Sequence, residues 1–181
     1  MESAALIAKM AMTMNDAPPA RVERGSNFYL GFLVLPKEKR EALSAVYAFC
    51  REVDDIADSP SLAGSEAAGL LTGWRSEIER VYQGCAARPL SASLQGLLLR
   101  YPFPKSALLG VIDGVETDLR KSRFETYAEL EGYMTGVASC VGYLCVEIFG
   151  YRQESAKEYA RLLGHAFQLT NILRDVSADF A

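Results

Sequence analysis

The stretch YAFCREVDDIAD, residues 47–58, constrains this chain more than any other. At about 100° per residue of helix, Tyr47, Arg51, Asp54 and Asp58 share roughly 60° of arc. Leu43, Val46, Cys50 and Val53 lie on one flank of that stripe, and Ala45, Phe49 and Ile56 lie nearly opposite it. Only the arc of Lys37, Glu41, Ser44, Glu52 and Asp55 is plainly polar. A helix apolar on most sides is buried on most sides, so the two aspartates are expected to face an internal cleft. Side chains four apart on a helix are close neighbours, and two carboxylates so placed repel unless a cation sits between them. A hard divalent ion with oxygen ligands suits them, and Mg2+ held by few carboxylates brings phosphate oxygens with it.

The stretch QLTNILRDVSAD, residues 168–179, repeats the logic. Gln168, Asn171, Asp175 and Asp179 fall within about 80° of arc, with Arg174 beside them. Two such helices facing each other would hold Mg2+ between four carboxylates, with amides and arginines around a diphosphate.

Composition narrows the class. The 181 residues are 50% hydrophobic and 23% charged, as in a folded globular protein with a sizeable core. A net charge of −4, with no Lys/Arg run, gives no field that would draw nucleic acid. Cys50, Cys85, Cys140 and Cys145 show no C-x-x-C spacing and read as reduced thiols of a cytoplasmic protein. The single histidine, His165, lies off the polar stripe of its helix, as a packed or half-exposed side chain would.

Residues 1–20 read as a leader or frayed helix without signal-peptide character, leaving one domain over 21–181. The apolar run from Ser26 to Leu35 is far shorter than the ~20 residues of a membrane span, and no transmembrane segment is expected. Pro36 suits the first turn of the motif helix. Further helices are expected over Glu66 to Tyr82, Leu90 to Arg100, from Pro104 onward, over Tyr127 to Phe149, and from about Ser155 into the second motif. Asp113, Glu116 and Arg120 share a face and either pair with one another or line the cleft. Tyr133, Val137, Cys140 and Leu144 form a stripe that is either core or an apolar cleft wall. Nothing alternates with period two, so the chain reads as all-α.

The order Asn27-Phe28, Leu35-Pro36, Tyr47-Ala48-x-Cys50-Arg51, Asp54-Asp55-x-x-Asp58, Tyr133…Val137-Ala138-x-x-Val141-Gly142 and Gln168-x-x-Asn171-Ile172-Leu173-Arg174-Asp175-Val176 resembles the squalene/phytoene synthase family. Within it, the stretches IDGVETDL and YMTGVASCVGYLCVEIFGY look most like the bacterial presqualene diphosphate synthases of hopanoid and squalene biosynthesis. The resemblance implies a class I isoprenoid synthase helical bundle, incomplete at its C-terminus, that joins two farnesyl diphosphates head to head with Mg2+. By matching motifs, Asp54, Asp58, Asp175 and Asp179 would hold the metal. Arg51, Arg174, Gln168 and Asn171 would hold diphosphate and metal-bound water, with Tyr47 and Tyr133 near the ionising substrate. Asn27 and Phe28 would belong to the region over the diphosphate, and Val137 and Cys140 to the prenyl wall. Product release would bring peripheral contact with a membrane.

The chain departs from the family pattern at three places. Asn27 replaces a serine, Ser139 replaces the glycine of VAGxVG, and Ser177-Ala178 replace Gly-Glu in the second acidic motif. None removes a metal ligand. Two alternatives stay open: a phytoene synthase using geranylgeranyl diphosphate, and a non-catalytic helical assembly or binding relative.

Overall fold

The computed structural model describes residues 35–121 and 123–179, with side chains through residue 174 in the last helix. Asn27, Phe28, the 1–20 leader and most of the Ser26–Leu35 run fall outside the described residues. Those described form helices α1 (Lys37–Ala57), α2 (Gly64–Tyr82), α3 (Pro89–Leu98), α4 (Lys105–Arg120), α5 (Tyr127–Met134), α6 (Cys140–Phe149) and α7 (Ser155–Asp179). A π-helical turn, Thr135–Ser139, joins α5 to α6. No strand occurs among the described residues.

Local chemistry sets the helix ends. Pro36 sits before the first turn of α1, where a missing N–H costs nothing. Glu66 reaches back to accept from the Ala63 N–H at 3.0 Å at the start of α2. Thr126 accepts from the Glu129 N–H at 3.3 Å to cap α5. Gly84, at φ 78°, turns the chain after α2 as only glycine does readily.

α1 packs against α2, α3, α4 and α6, which is why its expected apolar flanks are filled. Val46, Phe49 and Val53 are buried, and Phe49 meets Trp74 of α2 edge to face at 5.4 Å between centroids. Leu71, Ile78, Leu94, Leu108, Ile112, Leu144 and Ile148 complete this main core. The buried Glu77 carboxylate accepts from the Ala87 and Arg88 N–H groups and the Ser91 hydroxyl, fixing the start of α3 to α2.

The π turn packs against both α4 and α7 with backbone in contact with backbone. A Cβ at Gly114 of α4 would lie 2.7 Å from the Val137 nitrogen, and one at Gly164 of α7 would lie 2.9 Å from the Ser139 nitrogen. Close approach therefore survives Ser139: Gly164 supplies the space, and the Ser139 hydroxyl donates to the Arg161 carbonyl at 3.0 Å. Gly114→Ala should gain under ~1 kcal/mol of helix propensity and lose about 1–3 kcal/mol to overpacking. A thermal melt as high as that of the parent would show that the seam is not tight.

The expected Tyr127–Phe149 helix is thus continuous but out of phase. A π turn holds one extra residue, which rotates everything after it. The stripe Tyr133, Val137, Cys140, Leu144 consequently splits: Tyr133 and Val137 join a small cluster with Met134 and Ala138, whereas Cys140 and Leu144 enter the main core. By length and composition these 23 residues could cross a membrane, with a mean hydropathy of 1.3 in the most apolar window. Packing against α4 and α7 accounts for that apolarity here.

Candidate active site

α1 carries the first acidic stripe into the bundle as expected. Asp54 is buried, 3% exposed, and its Oδ2 has no hydrogen-bond partner among the described residues. Burial first, then the Asp58 charge, pushes its carboxyl up to about 7, against the opposing pull of Arg51. Asp58 closes the helix at an exposed position. Arg51 pairs with Asp55 at 2.9 Å, and Tyr47 is half-buried with its hydroxyl held above the usual range by burial.

Asp118, on α4, is a residue the motifs did not reveal. The buried Tyr133 hydroxyl donates to its Oδ2 at 3.3 Å. Desolvation, then the Asp58 charge, raises Asp118 to about 6 against the Tyr133 bond, although the residue keeps an exposed edge. Tyr133 is itself held protonated far above the usual range, first by burial and then by Asp118, Asp54 and Asp58. Asp54, Asp58, Asp118 and Tyr133 therefore form one electrostatic unit contributed by α1, α4 and α5. The signal was present: Gly110, Gly114 and Asp118 recur every four residues, so Asp118 continues the glycine face that meets the π turn.

Of the pairing within α4 that was one expectation for its Asp113, Glu116 and Arg120 face, only Arg120–Glu116 forms among the described residues, and the main partner comes from another helix. Asp113 and Glu116 accept from Arg75 of α2 at 2.5 and 2.6 Å, and Arg120 pairs with Glu116, so these groups tie two helices together.

α7 brings the second motif to the same π turn. Gln168 is fully buried with both amide atoms unpartnered among the described residues, and Asn171, 3% exposed, has an unpartnered Nδ2. Buried polar groups are almost always bonded, so these amides are able to bond a water or a polar ligand. Leu169 packs against the Tyr133–Val137 cluster, which also takes Phe124. Arg174 is exposed, and the backbone of α7 runs on through Asp175 and Asp179, whose side chains fall outside the description. His165 is buried and bonded to Thr135 at 3.0 Å, a packed histidine. Cys140 presses against Gly110 of α4 in the main core.

The donor chemistry fits a hard cation with phosphate: carboxylate oxygens, one of them orphaned, and amides able to bond a metal-bound water. No three His, Cys, Asp or Glu among the described residues are arranged as a ready ion site. The fit is thus one of donor type.

An all-helical bundle of this shape is a class I isoprenoid synthase fold. It superposes on the crystal structure of squalene synthase HpnC from Alicyclobacillus acidocaldarius with a TM-score of 0.77 at 25% identity, covering 98% of this chain and 63% of that one. The family model for squalene/phytoene synthase matches residues 22–181, and the chain belongs to that family. It is 41% identical over 156 residues to the presqualene diphosphate synthase of Sinorhizobium fredii, covering 86% of this chain and 55% of that protein. Against phytoene synthase 1 of Arabidopsis thaliana it is 36% identical over 163 residues, 87% of this chain and 38% of the relative. The chain spans about half the length of the relatives it matches.

Proposed function

We propose that this chain takes part in the Mg2+-dependent head-to-head condensation of two farnesyl diphosphates to presqualene diphosphate and squalene. The observation that carries the reading is the buried Asp54 carboxylate beside Asp58 and Asp118, its Oδ2 without a partner among the described residues, as are both amide atoms of Gln168 and the Asn171 Nδ2 on α7.

In this reading Asp54, Asp58, Asp175 and Asp179 hold Mg2+. The bound ions would neutralise the diphosphate so that it can leave, an electrostatic contribution that a dry site enlarges. Arg51 and Arg174 pair with diphosphate oxygens. The Gln168 and Asn171 amides bond diphosphate or the water around the metal. Tyr133 stands near the ionising carbon with its proton kept on Oη, aimed by Asp118, and Tyr47 flanks the same region. The Tyr133, Met134, Val137 and Ala138 cluster keeps water from the prenyl chain. Cys140 supports that wall from the core, and Asn27 and Phe28 belong to the cover over the diphosphate.

Calorimetric titration with farnesyl thiodiphosphate, an unreactive analogue, tests the reading with and without Mg2+. Tight binding only with Mg2+ is expected. Binding indifferent to the metal would point instead to a non-catalytic relative, and preference for the geranylgeranyl analogue to phytoene synthase chemistry.

The raised carboxylates also fix a pH dependence. Metal binding requires deprotonated ligands, so Mg2+ affinity should climb between pH 6 and 8 as Asp54 loses its proton near 7. The expected gain across that whole window is about tenfold, steepest below pH 7 and levelling off above it. Affinity that is flat across this window would remove Asp54 from the binding set.

A further inference from the structure

Polar bonds from one stretch of α7 hold the π turn at both of its ends. At its first residue the Thr135 hydroxyl meets His165 Nε2 at 3.0 Å, and at its last the Ser139 hydroxyl donates to the Arg161 carbonyl at 3.0 Å. Between them Gly164 brings the two backbones into contact. A glycine contact has no side chain to fix how far one helix stands along the other, whereas directional bonds at the two ends do fix it. Donor chemistry assigns the protons. Arginine only donates, so the Arg161 Nη1 contact at 3.4 Å makes His165 Nδ1 the acceptor. The ring proton is then on Nε2 and points at Thr135. The Thr135 hydroxyl accepts it and donates its own proton to the Glu131 carbonyl at 2.8 Å. Arg161 is itself held by the Glu158 carboxylate at 2.8 and 3.0 Å and by Glu131 of α5 at 3.3 Å. The run from Arg161 through His165 and Thr135 to Glu131 has one direction throughout, and it closes only while the ring is neutral.

We propose that His165 is a positioning residue: its Nε2–H tautomer clasps the π turn to α7 and sets the register between Tyr133, just before the turn, and the Gln168 and Asn171 amides further along α7. The clasp stands on its own geometry, and only its service to a diphosphate rests on the function proposed above. A protonated ring would turn a second N–H toward the Arg161 guanidinium and break the run. Among the described residues, the charged groups facing His165 are Arg161 and Glu158 of α7 and Glu131 of α5. α6 adds Tyr143 near Arg161 and Glu158, and the π turn has no ionisable side chain. Burial first, then Arg161, hold the imidazole below its usual range. The fold therefore favours the neutral ring, and the stability this gives is present above about pH 6.5 and lost as pH falls.

His165 is the single histidine of the chain, so its ring nitrogens can be read without overlap. Long-range 1H–15N spectra should show a pyrrole-type Nε2 and a pyridine-type Nδ1, and the ring should titrate below an exposed histidine peptide measured alongside. The other tautomer, or titration at or above that reference, overturns the proposal. His165→Gln keeps a donor within reach of Thr135 and cannot titrate, whereas His165→Phe fills the space without one. Amide exchange of residues 135–139 should quicken by about tenfold in the Phe variant, the worth of one hydrogen bond, and stay close to the parent rate in the Gln variant. Should His165→Phe not fold, Thr135→Val removes the other partner of the same bond and is read in the same way. Equal exchange in parent and variants overturns the clasp. With Mg2+, affinity for farnesyl thiodiphosphate should fall about tenfold in the Phe variant and return in the Gln variant. Equal affinity in all three overturns the positioning role. A parent that does not bind the analogue refutes the proposed function instead, and tautomer and exchange still decide the clasp.

Discussion

Asn in place of Asp54 is expected to abolish Mg2+-dependent binding of farnesyl thiodiphosphate and, in a chain carrying the family's full length, to cut turnover by about 1000-fold or more, a barrier change of ~4 kcal/mol. The ion-free protein should at the same time become more stable at pH 8. The folded carboxyl is raised from an ordinary 3.8 to about 7, so the fold favours its protonated form. Stability from that proton is fully present below about pH 4 and is lost as pH rises through 7. Asn carries no charge at any pH, so its advantage is greatest at pH 8 and fades toward pH 4. From 1.36 kcal/mol per unit, the gain at pH 8 is on the order of 2–4 kcal/mol. Melting curves at pH 8 and 5 check the sign. A variant less stable than its parent at pH 8 would mean that Asp54 is satisfied in the free protein.

Gln168→Met should separate stability from binding in the same manner by a different route. Gln168 is fully buried, and neither amide atom has a partner among the described residues. A buried polar group left unsatisfied costs about 1–3 kcal/mol, and Met fills similar volume without that cost. The variant should therefore melt higher than its parent, while analogue affinity with Mg2+ falls by about tenfold or more, the worth of one hydrogen bond to a charged group. Unchanged affinity would remove the amide from the ligand's surroundings, and a lower melting temperature would show that it has a structural partner after all.

Much of this site was legible because its residues obey plain helical arithmetic. The Asp54 stripe is flanked by apolar side chains as the 3.6-residue period requires, and Asp54 is buried as a consequence. Asp118 was harder to see because its neighbours are distant in sequence: what makes it matter is Tyr133, fifteen residues on, reached at 3.3 Å. Only the Gly110, Gly114 spacing hinted at a face packed closely enough to bring them together. The split of the Tyr133–Leu144 stripe was invisible to any fixed period. A π turn leaves no mark in composition, yet it moved Cys140 from the expected prenyl wall into the main core. Asp113, Glu116 and Arg120 obeyed periodicity as well, but spacing cannot tell a lined cleft from a lashing between helices. Arg75, on another helix, decided it.

The glycine seam has a consequence for how the molecule can move. Where Gly114, Gly136, Ser139 and Gly164 bring three helices into main-chain contact, no rotamers stand between them to be exchanged or compressed. Most packed helices slide by letting side chains hop, and that freedom is missing here. Asp118, Tyr133, Gln168 and Asn171 are therefore carried by a single inflexible body and keep their relative placement. Under the function proposed above, a longer or shorter prenyl tail would not be accommodated by shifting α4 against α7. On that reading, adaptation to another chain length would come from replacing side chains away from the seam.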